Sequence, residues 1–381
     1  MRQHLTPYLL AAIAISFTAC DTDDDPIDPT YTVPDTYSFE RDGASTVTYS
    51  GQTERLDQLT LMGTYMKSAN TIGAAALDAQ TLRNMFANRN SPYSGLTFSK
   101  DLQSKCFAPD TVFFQEMMDQ LADISQFTSQ QAAQGTPGVL TTGNSSSTAG
   151  YLVNANGLEP TQVIEKGLMG AVFLYQAMEV YLSNDRMGAT GNDEFDGANN
   201  YTLMEHYFDE AFGYLGAPID FPSDLTSDDA RFWAKYAYAR HTGTDYSGIA
   251  TDLMLGFRKG RAAITAKEYA DRDDAIQSIV TEWETVAGGT IVDYLQKSLS
   301  STSVPLYKRN HQLSEAIGFM IGLKYHSNGG NGKYQPIYVY SKIEDALDII
   351  GTTTDLYALT DTDINNAIAM IRAAYPAGTI K

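Results

Sequence analysis

Apolar residues recur at helical spacing along most of the chain. In the first such segment, which begins near Gln52, they fall on one face: Leu56, Leu59, Met62, Tyr65 and Met66. The same period predicts further helices over residues 74–88, 110–131, 160–182, 204–216, 227–240, 245–267, 270–298, 311–327, 338–350 and 361–375. Residues 38–51 predict a short strand or an extended arm, and residues 135–158 a surface hairpin or a long loop. The pattern therefore predicts an all-α fold with long polar loops.

The sequence of one predicted helix recurs 105 residues later in the chain. Residues 206–214 and 311–319 share a His, three residues, Glu-Ala, one apolar residue, Gly and an aromatic residue. The preceding segments 165–175 and 284–294 share a Glu, a Gly five residues later and a Tyr, and residues 61–63 match 254–256 more weakly. This order predicts an internal duplication, with two fused, pseudo-symmetric helical bundles over residues 51–220 and 221–381 and a long insertion in the first.

The first 20 residues are typical of a lipoprotein signal peptide. Arg2 supplies the positive end, residues 9–17 the apolar core, and small residues precede Cys20. We expect the mature chain to begin at a lipidated Cys20 that anchors it to a membrane. Residues 21–50 begin with an acidic, Pro-rich run and predict a flexible tether. An acidic run directly after the lipidated Cys resembles a surface-export signal of some Gram-negative bacteria, and its alternative role is that of a spacer. The resemblance favours the outer membrane and exposure at the cell surface.

Charge and cysteine content narrow the function further. The chain has 26 Lys and Arg against 46 Asp and Glu, a formal net charge of −20. This balance argues against nucleic-acid binding, which needs basic patches, and suits the attraction of cations. Once Cys20 is lipidated, Cys106 is the only cysteine left, so no intrachain disulfide is expected.

The repeated helix carries side chains that bind metals. Residues four apart on a helix lie on one face, so each repeated His points the same way as the Glu that follows it. If the two copies of the repeated helix meet near a pseudo-twofold axis, their His and Glu side chains supply four ligands to one metal ion. The helix that precedes each copy adds one further Glu carboxylate. The candidate ligands are His206, Glu210, His311, Glu315, Glu165 and Glu284. Nitrogen and oxygen donors without thiolate favour iron, zinc or manganese.

The same residues also have a purely structural interpretation. A buried His is commonly paired with a Glu of a neighbouring helix, and duplication of a fold would repeat such a pair. Ala and Gly beside each pair would then serve close helix crossings. His241 and His326 lie just beyond predicted helix ends, where we expect surface residues.

The His206 segment resembles the imelysin-like proteins, which carry a Gly-x-His-x-x-Glu motif. Here the matching residues are Met204, His206 and Asp209, with Glu210 beside them, and the second copy has Ser314 three residues after His311. Together with the segment around Cys20 and the Glu-Lys-Gly-Leu-Met-Gly-Ala helix, these segments look more like an uncharacterised lipoprotein family, domain of unknown function 4856. The imelysin-like resemblance implies two helical bundles, a link to iron uptake and a grouping with metallopeptidases.

Three functions follow as hypotheses. The leading one is a surface lipoprotein that binds a metal ion or metal complex, with iron or zinc as the possible metal, through His206, Asp209 and Glu210 together with His311 and Glu315. The second is a non-catalytic scaffold or accessory protein whose loops at 135–158 and 183–200 meet a partner. The third is an imelysin-type metallopeptidase, although the chain lacks the His-Glu-x-x-His helix of the zincins.

Overall fold

A computed structural model describes residues 31–142, 148–195, 197–223, 229–326 and 334–381. Within these residues lie twelve α-helices. Their bounds are α1 Ser50–Lys67, α2 Ala79–Ala87, α3 Thr111–Ser125, α4 Pro160–Leu168, α5 Asn184–Met187, α6 Leu203–Leu215, α7 Phe232–His241, α8 Ile249–Ala266, α9 Tyr269–Lys297, α10 Leu306–Gly322, α11 Tyr340–Ile349 and α12 Asp361–Ala374. The predicted all-α class is confirmed.

Four short strands form two antiparallel pairs in the described part of the chain. Strands β1 (Glu40–Arg41) and β2 (Ala44–Ser45) make the first pair, within the segment predicted as a strand or an extended arm. Strands β3 (Gly138–Thr141) and β4 (Gly150–Val153) pair with Leu140 opposite Tyr151, so the hairpin, one of the two alternatives predicted over 135–158, is confirmed. Its predicted surface position is wrong for Val139, Leu140, Leu152 and Val153, which are buried. Residues 143–147 at its tip lie outside the described residues.

The helix that begins at Pro160 changes from α-helical to π-helical geometry along its length. Pro160 occupies its first turn, where a missing N–H is tolerated. Beyond α4 the same helix continues with π-helical turns over Met169–Leu174 and Gln176–Tyr181, so it reaches almost to the predicted end at residue 182. Elsewhere the largest differences are that α2 begins five residues late, α10 begins five residues early, and α3 ends at Ser125 rather than near 131. The predicted caps near Asp228 and the predicted helix end near residue 327 lie outside the described residues.

Two glycines allow α10 to run close along this long helix. A Cβ atom on Gly170 would lie 2.2 Å from the Cα of Gly322, and one on Gly318 would lie 2.7 Å from the carbonyl oxygen of Gln162. Side chains at these positions would collide with backbone atoms, so the two helices can approach only because the residues are glycines. The crossing brings residues of both predicted halves into contact.

A large hydrophobic core extends through the unit Val33–Lys381, and a small second cluster joins Ala132, Leu140 and Val153. The large core includes the N-terminal arm, because Tyr37 is 1% exposed and stacks on Phe212 with ring centroids 3.8 Å apart. The predicted tether, residues 21–50, therefore overlaps the packed unit from Tyr37 onward. The division into two pseudo-symmetric bundles stays a prediction. No helix among the described residues is long and apolar enough to cross a membrane.

Candidate functional site

Six side chains form a line of alternating charge across the α4–α10 contact. We call this line the charge chain; in order it comprises Glu159, His311, Glu315, Lys166, Glu165 and Lys67. The successive nitrogen–oxygen distances are 2.6, 3.4, 3.5, 2.6 and 2.5 Å. Three of the predicted ligands, Glu165, His311 and Glu315, therefore lie together, each beside an oppositely charged group.

Lysine side chains fix the ionisation of Glu165. Its carboxylate accepts hydrogen bonds from the ammonium groups of Lys166 and Lys67. Burial alone would raise the pKa of Glu165, but these two cations lower it to about 2. Burial likewise opposes the charge of Lys166, yet the neighbouring Glu165 carboxylate holds the pKa of Lys166 above the usual range. Both groups are therefore charged at neutral pH.

Glu159 favours the protonated form of His311. Glu159 is fully buried at the start of α4, where its backbone N–H donates to the hydroxyl of Ser314. Burial alone would lower the pKa of His311, but its hydrogen bond to Glu159 and the charges of Glu159 and Glu315 raise it. Tyr151 of β4 stacks on the imidazole, with centroids 4.0 Å apart and planes 8° apart. The hairpin thus covers one face of the His311 ring.

The charge chain borders an open cavity of about 440 Å³, which we call the central cleft. Helices α1, α4, α7, α9 and α10 and strand β4 supply most of its walls. The lining residues are Lys67, Asn70, Tyr151, Gln162, Glu165, Lys166, Lys235, Tyr236, Ala239, Arg240, Thr290, Asp293, Tyr294, Lys297, His311 and Glu315. Five of them are Lys or Arg and three are Asp or Glu, which reverses the balance of the whole chain.

Within the described part of the chain, each of these charged groups except Lys235 has an ion-pair partner. Arg240 and Lys297 share the carboxylate of Asp293, at 2.9 and 2.7 Å. Lys235 is exposed and has no ion-pair partner among the described residues. It is placed over the cleft by α7, whose Trp233 donates an indole hydrogen bond of 2.9 Å to the Met169 carbonyl. The cleft therefore presents a surplus of positive charge to solvent.

The first copy of the repeated helix lies in a different environment. His206 Nε2 is 3.7 Å from Glu210 Oε2, its ring stacks on Tyr201, and its buried Nδ1 lacks a hydrogen-bond partner in the described structure. Glu210 accepts a hydrogen bond from Gln52 at 2.8 Å. No hydrogen bond or ion pair between described residues links this pair to the charge chain.

Asp209 belongs to a buried ion pair. Its carboxylate accepts hydrogen bonds from Arg261 at 2.9 Å and Tyr37 at 2.8 Å, and neither the Asp209 nor the Arg261 side chain is exposed. Burial raises the pKa of Asp209 to about 6, although Arg261 opposes this shift. Glu205, one turn earlier, also pairs with Arg261. These contacts tie α6 to α8 and to the N-terminal arm.

Glu284 pairs with His326, away from Glu165. His326 is 1% exposed, so the prediction that it is a surface residue is wrong. Its Nδ1 contacts Glu284, whose other carboxylate oxygen accepts the N–H of Ile337 at 2.7 Å. Burial opposes the charge of His326, but Glu284 raises its pKa. His241, for which the same prediction was made, is the last residue of α7 and is half-buried.

Sequence reasoning did not assign Lys166, Tyr151 and Lys235, which line the cleft, or Glu159, which pairs with His311 behind it. Lys166 carried a signal, because it follows Glu165 directly, whereas the second copy has Thr285 at the matching position. Among the described residues, no three His, Cys, Asp or Glu side chains come together as a group that could hold a metal ion.

The fold and the site define an all-α domain with a charged, tyrosine-lined cleft between its helices. The chain belongs to the family described as Domain of unknown function (DUF4856), whose family model matches residues 34–375. No curated protein and no solved structure matched the chain. The link to the imelysin-like proteins stays a prediction.

Proposed function

We propose that this chain is a lipid-anchored binding protein of the cell envelope that holds a small anionic ligand in the central cleft. The observation that carries this proposal is the positive surplus of the cleft in a chain of net charge −20. A concave site with low-dielectric walls focuses its local field and attracts ions of opposite charge. The unpaired ammonium of Lys235 is the natural first contact for such an anion.

The remaining walls suit a ligand that also makes polar contacts. Asn70 and Gln162 add amide groups, and Tyr151, Tyr236 and Tyr294 add aromatic faces with hydroxyl groups. A volume of about 440 Å³ lies within the range of small-molecule sites. Organic acids and anionic metal chelates have this size and charge, so the metal complex predicted from the sequence remains among the candidates.

Lys166 favours an anion over a bare cation at the charge chain. Its ammonium lies 2.6 Å from Glu165 and 3.5 Å from Glu315, between the two carboxylates that would otherwise coordinate a metal. A metal ion there would have to displace or approach a buried positive charge, which is costly. A metal ion at His206 and Glu210 stays a prediction of the sequence.

The anchor is part of the proposal and depends on the sequence alone. Residues 1–20 and Cys20, with the acidic run that follows, support lipidation and placement in the outer membrane. These residues lie outside the described structure.

A panel titration of the purified full chain tests the proposal. Affinities are measured for citrate, ferric citrate, galacturonic acid and phosphate, and for iron, zinc and manganese ions, at two salt concentrations. The proposal predicts that at least one anion binds below about 1 mM and binds more weakly at high salt, because salt screens exposed charges. Stoichiometric binding of a bare metal ion, with no anion bound, would contradict it.

A further inference from the structure

The central cleft continues into a second cavity. This cavity has a volume of about 350 Å³ and lies between α1, α4 and α7. We call it the threonine cavity, because Thr60 and Thr64 line it together with Arg231 and Phe232. It shares five residues with the central cleft: Lys67, Glu165, Lys166, Lys235 and Tyr236.

The two cavities adjoin at the five residues they share, and we call the pair of cavities the groove. Each cavity alone has the volume of a small-molecule site. One small acid would therefore occupy one cavity, and the other would hold only solvent. Lys235 lies between them, exposed and without an ion-pair partner among the described residues. Arg231 adds positive charge in the threonine cavity, although it pairs with Asp57 at 2.9 Å. Positive groups thus occur along the groove rather than at one end.

The walls favour a carbohydrate over a peptide. They are mostly helical, so most of their backbone N–H and C=O groups are already bonded within the helices. Strand β4 also reaches the cleft, but its Gly150 and Leu152 N–H groups donate to Asn70 and are not available to an extended peptide. The groove instead offers uncharged polar side chains for hydroxyl groups, among them Asn70, Gln162 and Thr64. A chain of sugar units carries many hydroxyl donors at regular spacing.

We propose that the ligand is an acidic oligosaccharide, a chain of uronic acid units that runs from the central cleft into the threonine cavity. This inference depends on the proposed function and specifies its ligand class. Carboxylates of successive units contact Lys235 and the cations on either side of it, while sugar hydroxyls contact the amides and threonines. The longer ligand gains affinity because it occupies both cavities at once.

The test is the dependence of affinity on chain length, measured by calorimetry on the full chain. The probes are monomers and tetramers of galacturonic, glucuronic and mannuronic acid, with neutral maltotetraose and tetraglutamate for comparison. At least one uronate tetramer is expected to bind ten times more tightly than its monomer and than either comparison probe. Thr64→Trp, which fills the threonine cavity, is expected to reduce that tetramer to monomer affinity. Thr251→Trp, at an exposed position on α8, is the control. This variant is expected to bind the tetramer as tightly as the wild type does.

Each other result has a definite meaning. Equal affinity for monomers and tetramers would contradict the inference that the ligand extends over both cavities, but it would not contradict the proposed function. Tetraglutamate that binds as tightly as the uronate tetramers shows that the groove takes acidic peptides, which overturns the carbohydrate. Binding of citrate or phosphate without any uronate also overturns this inference alone. If no anion binds, both proposals fail.

Discussion

At the scale of single residues, the neighbours of a repeated side chain set its chemistry. His206 and His311 have the same sequence context, but of these two only His311 contacts a fully buried carboxylate among the described residues, that of Glu159 at 2.6 Å. Glu165 and Glu284 match in the repeat, yet Glu165 contacts two lysines and Glu284 contacts His326. The sequence showed which residue types recur, but the partners come from other helices and from chain segments that the repeat does not contain.

The Glu159–His311 pair makes stability depend on pH. The folded pKa of His311 is raised above its unfolded value, so protonation stabilises the fold. That contribution is complete below about pH 6.5, the unfolded pKa, and is lost as pH rises through the folded pKa. We therefore expect the wild type to exceed His311→Gln in free energy of unfolding by more at about pH 6 than at about pH 9. Denaturant unfolding at both pH values measures the difference.

A double-mutant comparison separates this effect from other titrations. In a Glu159→Gln background the main cause of the raised pKa is absent, so the pH dependence of the His311→Gln effect is expected to shrink. If the stability difference between the wild type and His311→Gln instead increases with pH, the fold stabilises the neutral imidazole of His311, which would contradict this account.

At the scale of elements, the contact of α4 and α10 creates the site. Periodicity predicted these helices, and Pro160 marked the start of the first correctly. It could not predict which faces meet, because that depends on close approach at Gly170 and Gly318, which sequence alone shows only as small residues. The π-helical turns after Leu168 were also unpredictable, because the same apolar residues suit either helix type.

Replacing Gly170 by Ala tests this crossing. The added methyl would meet the Cα of Gly322 at 2.2 Å, and neither backbone can move without separating the helices. We expect a loss of about 3 kcal/mol or more in free energy of unfolding, at the upper end of overpacking effects. The control is Gly51→Ala, where the nearest atom is the flexible Lys100 side chain at 3.2 Å. There we expect a change within about 1 kcal/mol, and equal effects at both glycines would contradict the crossing.

At the scale of the whole molecule, charge is distributed unevenly. Acidic residues outnumber basic ones by 46 to 26 in the chain, but basic residues outnumber acidic ones by five to three in the central cleft. The composition suggested a protein that attracts cations. The folded cleft points to the opposite charge, because lysines and arginines from separate segments converge there. Composition alone cannot show such a local reversal.

The anchor can be tested in cells. Cys20→Ser is expected to abolish labelling by a radioactive fatty acid and to move the protein from the membrane to the soluble fraction. Cys106→Ser, which removes a buried thiol, is the control and keeps the label. Surface exposure predicts that external protease degrades the wild-type protein on intact cells. An unlabelled wild-type protein in the soluble fraction would refute the anchor.

The charge of Lys235 tests the central claim most directly. Lys235→Glu reverses the unpaired charge at the cleft, and Lys259→Glu makes the same change at an exposed lysine on α8 that does not line it. Calorimetric titration of the tightest anion in the panel is predicted to show affinity about tenfold lower for Lys235→Glu, which corresponds to roughly 1.4 kcal/mol. Lys259→Glu is predicted to bind like the wild type. Equal affinity in all three proteins would show that the anion binds elsewhere and that the cleft is not the binding site.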